Sequence, residues 1–117
     1  MTRFGLVLTG GPYQTERWET AFRIVDAALD RGDGVSLFLF MDGVYNVLAT
    51  ERFTAMDELP KDRFRRILER GGEVYACEVC TNNRGLSEGR DFVEGVRLAG
   101  ASVLSEIVSR CDRVVTL

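Results

Sequence analysis

The chain has 117 residues, 45% of them hydrophobic, with 15 basic and 18 acidic side chains, a formal net charge of −3 and no histidine. A chain of this size is expected to form one domain, residues 1–117, that buries roughly 60–70% of its unfolded surface. Its net acidity, with no basic run longer than Arg65-Arg66, argues against direct nucleic-acid binding, and the lack of imidazole removes His-based triads, His-containing zinc sites and the usual near-neutral proton shuttle.

In chain order, residues 4–8 form an apolar run that reads as a first strand, broken by Thr9-Gly10-Gly11-Pro12. Trp18, Ala21, Phe22, Val25, Ala28 and Leu29 then recur at helical spacing, with Thr15 as the expected N-cap and Gly32 and Gly34 as the stop. Residues 35–40 are apolar on both faces, as a central parallel strand requires, and give way to Asp42-Gly43. A short helix carrying Val44, Val47 and Leu48 follows, and residues 51–59 read as a surface connection. Pro60 opens a helix whose buried face is Phe64, Ile67 and Leu68 and whose end is Gly71-Gly72. The third strand is residues 73–76, residues 86–90 read as loop, and residues 92–98 hold a short strand broken by Gly95. Leu104, Ile107, Val108 and Cys111 line one face of the last helix, and residues 113–117 close the chain as a strand.

This alternation predicts a three-layer α/β/α, Rossmann-like domain around a largely parallel five-stranded sheet. Trp18, in register with Phe22 and Val25, is expected in the core, while Tyr45 and Phe53 are candidate interface anchors. The longest apolar stretch, residues 35–41, falls far short of the ~20 residues a membrane helix needs, so no membrane contact is expected. The opening residues lack the charged region and long apolar core of a signal peptide, and the expected compartment is the cytoplasm.

The chemistry-bearing motif is Cys77-Glu78-Val79-Cys80, which follows the apolar run Val74-Tyr75-Ala76 where a strand hands over to a helix. In a reducing compartment a Cys-x-x-Cys is more often catalytic or metal-binding than a structural disulfide. Its spacing places both sulfurs on one face of a helical turn, and a helix N-terminus favours thiolate over thiol. A zinc site is not expected, because only Cys111 and carboxylates remain as further ligands.

If the first three strands are parallel, Gly10-Gly11, Asp42-Gly43 and Cys77 all lie on the carboxyl rim of the sheet, where ligands of open α/β sheets bind. Glycines there let backbone N–H groups approach an anion, and Tyr13, Asn82, Asn83 and Arg84 supply polar or cationic contacts. Plainer roles stand beside these: Gly10-Gly11-Pro12 as a tight turn, Asp42-Gly43 as a turn with a helix cap, Cys77 as a small buried hydrophobe, and Cys111 as core.

Several segments together resemble the DsrE/TusD-like family of sulfur-relay proteins over nearly the whole chain. They are Pro12-Tyr13-Gln14-Thr15-Glu16-Arg17, then Leu37-Phe38-Leu39-Phe40-Met41-Asp42-Gly43-Val44, then Cys77 seven residues before Arg84-Gly85. The tail, Gly95-Val96-Arg97-Leu98-Ala99-Gly100 and Cys111-Asp112-Arg113-Val114-Val115, is the most similar part. The resemblance implies a sulfurtransferase that accepts sulfane sulfur on Cys77 as a persulfide and passes it on, in tRNA 2-thiouridine formation or sulfur oxidation. It implies sulfur-carrier proteins as donor and acceptor, and trimers, hexamers or hetero-oligomers with related subunits. No cofactor is implied. Cys80 departs from the family pattern, which commonly has a small apolar residue there. It leaves open a resolving role for Cys80, a Cys77/Cys80 dithiol oxidoreductase, or a non-catalytic subunit of a DsrE-type oligomer.

Overall fold

In the computed structural model, which describes residues 1–51 and 58–117, the apolar runs pair edge to edge in one five-stranded sheet. The strands are β1 (Arg3–Leu8), β2 (Gly34–Leu39), β3 (Glu73–Cys77), β4 (Arg97–Ala99) and β5 (Arg113–Thr116), in the order β4-β3-β2-β1-β5, with every pair parallel. The expected three-layer α/β arrangement is present, and the sheet is wholly parallel. Leu37, Phe38 and Leu39 of β2 are all buried because β2 is flanked by β1 and β3 and covered on both faces.

The helices are α1 (Arg17–Asp30), α2 (Pro60–Glu69), α3 (Glu78–Asn83) and α4 (Ala101–Arg110). The chain steps from β1 to β4 in one direction and then returns past β1 to β5. With right-handed crossovers, that reversal puts α4 on the face opposite α1 and α2, which pack together. Gly5 of β1 makes room for α4, since a Cβ there would stand 2.8 Å from Ile107 Cγ2 and 3.2 Å from Cys111 Sγ. Trp18 is core as expected, and Arg63 of α2 lies over the Phe22 ring at 3.7 Å while pairing with Glu19.

Four local expectations need correction. The short helix after β2 is a 3₁₀ helix, Met41–Val47, which begins before Val44 and leaves Leu48 just beyond its end. Thr15 is not the N-cap of α1, which is Glu16; the Thr15 hydroxyl instead accepts from the Arg17 N–H at 3.2 Å. The fourth strand is shifted to Arg97–Ala99: Gly95, at φ +100°, turns the chain, and Phe92 and Val93 pair with Leu48 and Val47 outside the sheet. Val108 is exposed and Cys111 half-buried, because Ile107 is the one residue of α4 that is fully covered. Phe53 lies outside the described residues. Among the described residues, no helix is long and apolar enough to cross a membrane.

Candidate functional site

The loops after β1, β2 and β3 meet on the carboxyl rim. Gly43 makes the first junction, because any Cβ there would overlap the Leu8 carbonyl oxygen and stand 3.0 Å from its carbon. Only glycine lets the second loop cross the end of β1. A Cβ on Gly11 would stand 3.5 Å from the Asp42 carbonyl oxygen, so these two loops touch as well. Asn46, fully buried, sews them together by donating from Nδ2 to the carbonyl oxygens of Gly10 and Gly43, each at 2.9 Å. Gly10 and Gly11 are therefore packed against their own turn and the neighbouring loop. Asn46 escaped the sequence reading; its signal is one amide within the otherwise apolar string Val44-Tyr45-Asn46-Val47.

The third loop adds the cysteines. Cys77 ends β3 and is the N-cap of α3, where its Sγ accepts from the Cys80 N–H at 3.2 Å. α3 is only six residues long, so this local N–H contact, more than a helix dipole, is what the helix offers the sulfur. Cys80 Sγ accepts from the Met41 N–H, also at 3.2 Å, and Met41 holds a left-handed φ of +52° in making that contact. Cys77 and Cys80 are joined as a disulfide with a Cα–Cα distance of 5.2 Å, and each is only 7% exposed. Between them Val79 faces outward, 65% exposed, and Met41 is 52% exposed beside them in the neighbouring loop. Thr81 is fully buried with no partner for its Oγ1 among the described residues, a second polar group the sequence did not flag.

Arg84 and Asp42, both expected at the site, meet there as a pair. Nε and Nη2 of Arg84 donate to Asp42 Oδ1 at 3.0 and 2.7 Å, while Nη1 donates to the Cys80 carbonyl at 2.9 Å. The guanidinium thus ties α3 to the loop after β2, with its charge answered inside the protein. Asn82 and Asn83 are exposed at the end of α3. Cys111 sits away from this rim, below Gly5, and burial pushes its thiol pKa up.

Tyr13 stands on another part of the rim. It is 54% exposed and walls a cavity of about 330 Å³ together with Tyr45, Leu48, Thr50 and Glu51. Glu51, read from the sequence only as the start of a surface connection, is instead buried, with Oε1 accepting from the Lys61 N–H at 3.0 Å and Oε2 without a partner among the described residues. Burial pushes its carboxyl pKa up to about 7, against smaller lowering effects from Lys61. The Tyr13 hydroxyl is pushed up by burial first and then by the charge of Glu51. Among the described residues, no group of three or more His, Cys, Asp or Glu has metal-holding geometry.

A protein of Methanopyrus kandleri is 38% identical over 94% of this chain and 89% of its own length. The protein named sulfurtransferase TusD in Cronobacter sakazakii is 31% identical over 97% of this chain and 98% of its own. Among solved structures, the ychN protein from E. coli superposes with a TM-score of 0.86 at 21% identity over the full length of both chains, a likeness of fold. The model of the DsrE/DsrF-like family matches residues 2–117, and the chain belongs to that family.

Proposed function

We propose that this protein is a sulfur-relay protein that carries sulfane sulfur as a persulfide on Cys77, between a donor and an acceptor sulfur-carrier protein. The observation that carries this reading is the position of Cys77, at the strand-to-helix junction of the carboxyl rim with the Cys80 N–H directed at its sulfur. The family and the TusD relatives support it.

The chemistry needs no imidazole. With the disulfide reduced, the Cys77 thiolate attacks the outer sulfur of a donor persulfide, R–S–SH; a new S–S bond forms, the donor's S–S bond breaks, and the donor leaves as RS⁻. The N–H of Cys80 favours that thiolate before attack. The acceptor thiolate then takes the outer sulfur in the same manner and regenerates Cys77. Donor and acceptor meet the protein in the cytoplasm, in tRNA thiolation or sulfur oxidation, and the working form is a homotrimer, a homohexamer or an assembly with related subunits.

The Cys77–Cys80 disulfide favours a second reading. The Cys80 thiolate attacks the inner sulfur of a Cys77 persulfide, forming the disulfide and expelling HS⁻, so the pair works as a dithiol oxidoreductase. One experiment separates the two. Reduced protein is incubated with a cysteine desulfurase, its sulfur carrier and cysteine, and each cysteine is mapped by mass spectrometry. A carrier gains one sulfur atom on Cys77 and keeps doing so in Cys80→Ser. A Cys77 that stays unmodified, or that yields only the disulfide, overturns the carrier reading.

A further inference from the structure

The cavity beside Tyr13 is lined by side chains that the sulfur chemistry does not use. Its volume, about 330 Å³, is at the lower end for small-molecule sites. Pro12 and Leu48 give it apolar wall, Tyr13 and Tyr45 contribute aromatic rings, and Glu51 is the one charged side chain among the described residues that lines it. That carboxyl is unusual on two counts. It is 6% exposed, and its Oε2 has no partner among the described residues, although a buried ionised carboxylate is costly unless a counter-charge meets it.

Among the described residues, no cation meets that need. Lys61 of α2 donates its backbone N–H to Oε1, but its ammonium is turned to the Ala49 carbonyl at 2.8 Å. Asp62 on the same helix adds negative charge, and Tyr13 faces Glu51 from the loop after β1 with a neutral hydroxyl. Arg84 lies 5.9 Å from the Tyr45 ring and is held by Asp42. An anionic ligand would be repelled by Glu51, and a plain hydrocarbon would leave the carboxyl unanswered. A cation on an apolar stem answers it: the ammonium pairs with Oε2 and lies against tyrosine faces, while the stem covers Leu48. The terminal carboxyl torsion is soft enough to present Oε2 to such a group.

We propose that this cavity is a binding site for a primary ammonium group on a short aliphatic stem, with Glu51 as its counter-ion and Tyr13 and Tyr45 as its aromatic walls. The group has two possible sources, a free amine or a lysine side chain of another protein. The site is independent of the sulfur reading, because neither Cys77 nor Cys80 takes part.

The test is an NMR titration of the full chain with n-butylammonium chloride, and in a second arm with an Nα-acetyl-lysine amide. Saturable shifts of the Tyr13 and Tyr45 rings are expected, and the Glu51 carboxyl carbon, titrating near 7 in the free protein, should titrate at lower pH when the amine is bound. Glu51→Gln should weaken binding by about tenfold or more, as loss of a desolvated charge partner does. Binding of butylammonium better than the lysine amide marks a free amine as the source, and the reverse marks a lysine side chain. The proposal is overturned if neither probe saturates, if Glu51→Gln binds equally, or if Glu51 titrates as an ordinary carboxylate in the free protein. Cys77→Ser and Cys80→Ser should bind both probes as the parent does, so failure here leaves the persulfide reading standing.

Discussion

Gly43 lies so close to the end of β1 that the Leu8 carbonyl occupies the space a side chain would need. Gly43→Ala should therefore cost about 3 kcal/mol of stability, the upper end for overpacking against a backbone that cannot yield, read as a drop in the chemical-denaturation midpoint. Glu51 makes a different residue-scale prediction. Its folded-state pKa is raised to about 7, whereas in the unfolded chain it lies near 4. The folded state thus keeps the proton over a range in which the unfolded state has lost it. The stabilisation is complete below about pH 4, declines as pH rises, and is gone above pH 7, for a total of about 3 kcal/mol. Stability curves collected between those limits should show the slope in the parent and lose it in Glu51→Gln.

Between elements, the decisive link is Arg84, which holds α3 to the loop after β2 through Asp42 and holds the Cys80 carbonyl at the same time. Both side chains are partly solvent-exposed, so screening limits the worth of the pair, and Arg84→Ala should cost only about 1 kcal/mol in global stability. Its local effect should be larger. With α3 less firmly held, the reduced cysteines, each 7% exposed in the closed arrangement, should alkylate faster with iodoacetamide than in the parent. Equal rates would mean that the burial of Cys77 and Cys80 does not depend on this tie. The 3₁₀ geometry of Met41–Val47 belongs to the same linkage, because it directs the Met41 N–H to Cys80 and brings Gly43 against β1 in one short stretch.

At the scale of the molecule, β5 covers the outer edge of β1 by parallel pairing from Phe4↔Arg113 to Val7↔Thr116. The Leu117 carbonyl accepts from both the N–H and the hydroxyl of Thr9. Deleting residues 112–117 would bare the edge of β1, whose Leu6, Val7 and Leu8 are otherwise buried. Such an unpaired apolar edge invites strand addition from a second chain. The truncated protein should aggregate on expression or run as large species in light scattering, whereas a soluble species of unchanged size and melting temperature would show that β5 is dispensable.

The parallel sheet was legible because its strands are short apolar runs, and central strands buried on both faces need no alternation to be recognised. Trp18, Phe22 and Val25 likewise placed α1 by period, and Pro60 and Gly71-Gly72 bounded α2. The same order of elements put Gly10, Gly11, Asp42, Gly43 and Cys77 on one rim before any distance was known. The sequence alone also ruled out imidazole chemistry, which has no residue to perform it. The tertiary structure decided whatever depends on contacts between residues distant in the chain. It set Arg84 on Asp42, Asn46 between two loops, and Met41 on Cys80, none of which has a local pattern. It moved the fourth strand beyond Gly95, where pairing with β3 outweighed the apolar run at Phe92 and Val93. It also left Glu51 buried with an open oxygen, because burial of a polar side chain is a property of its neighbours, and those neighbours come from three separate parts of the chain.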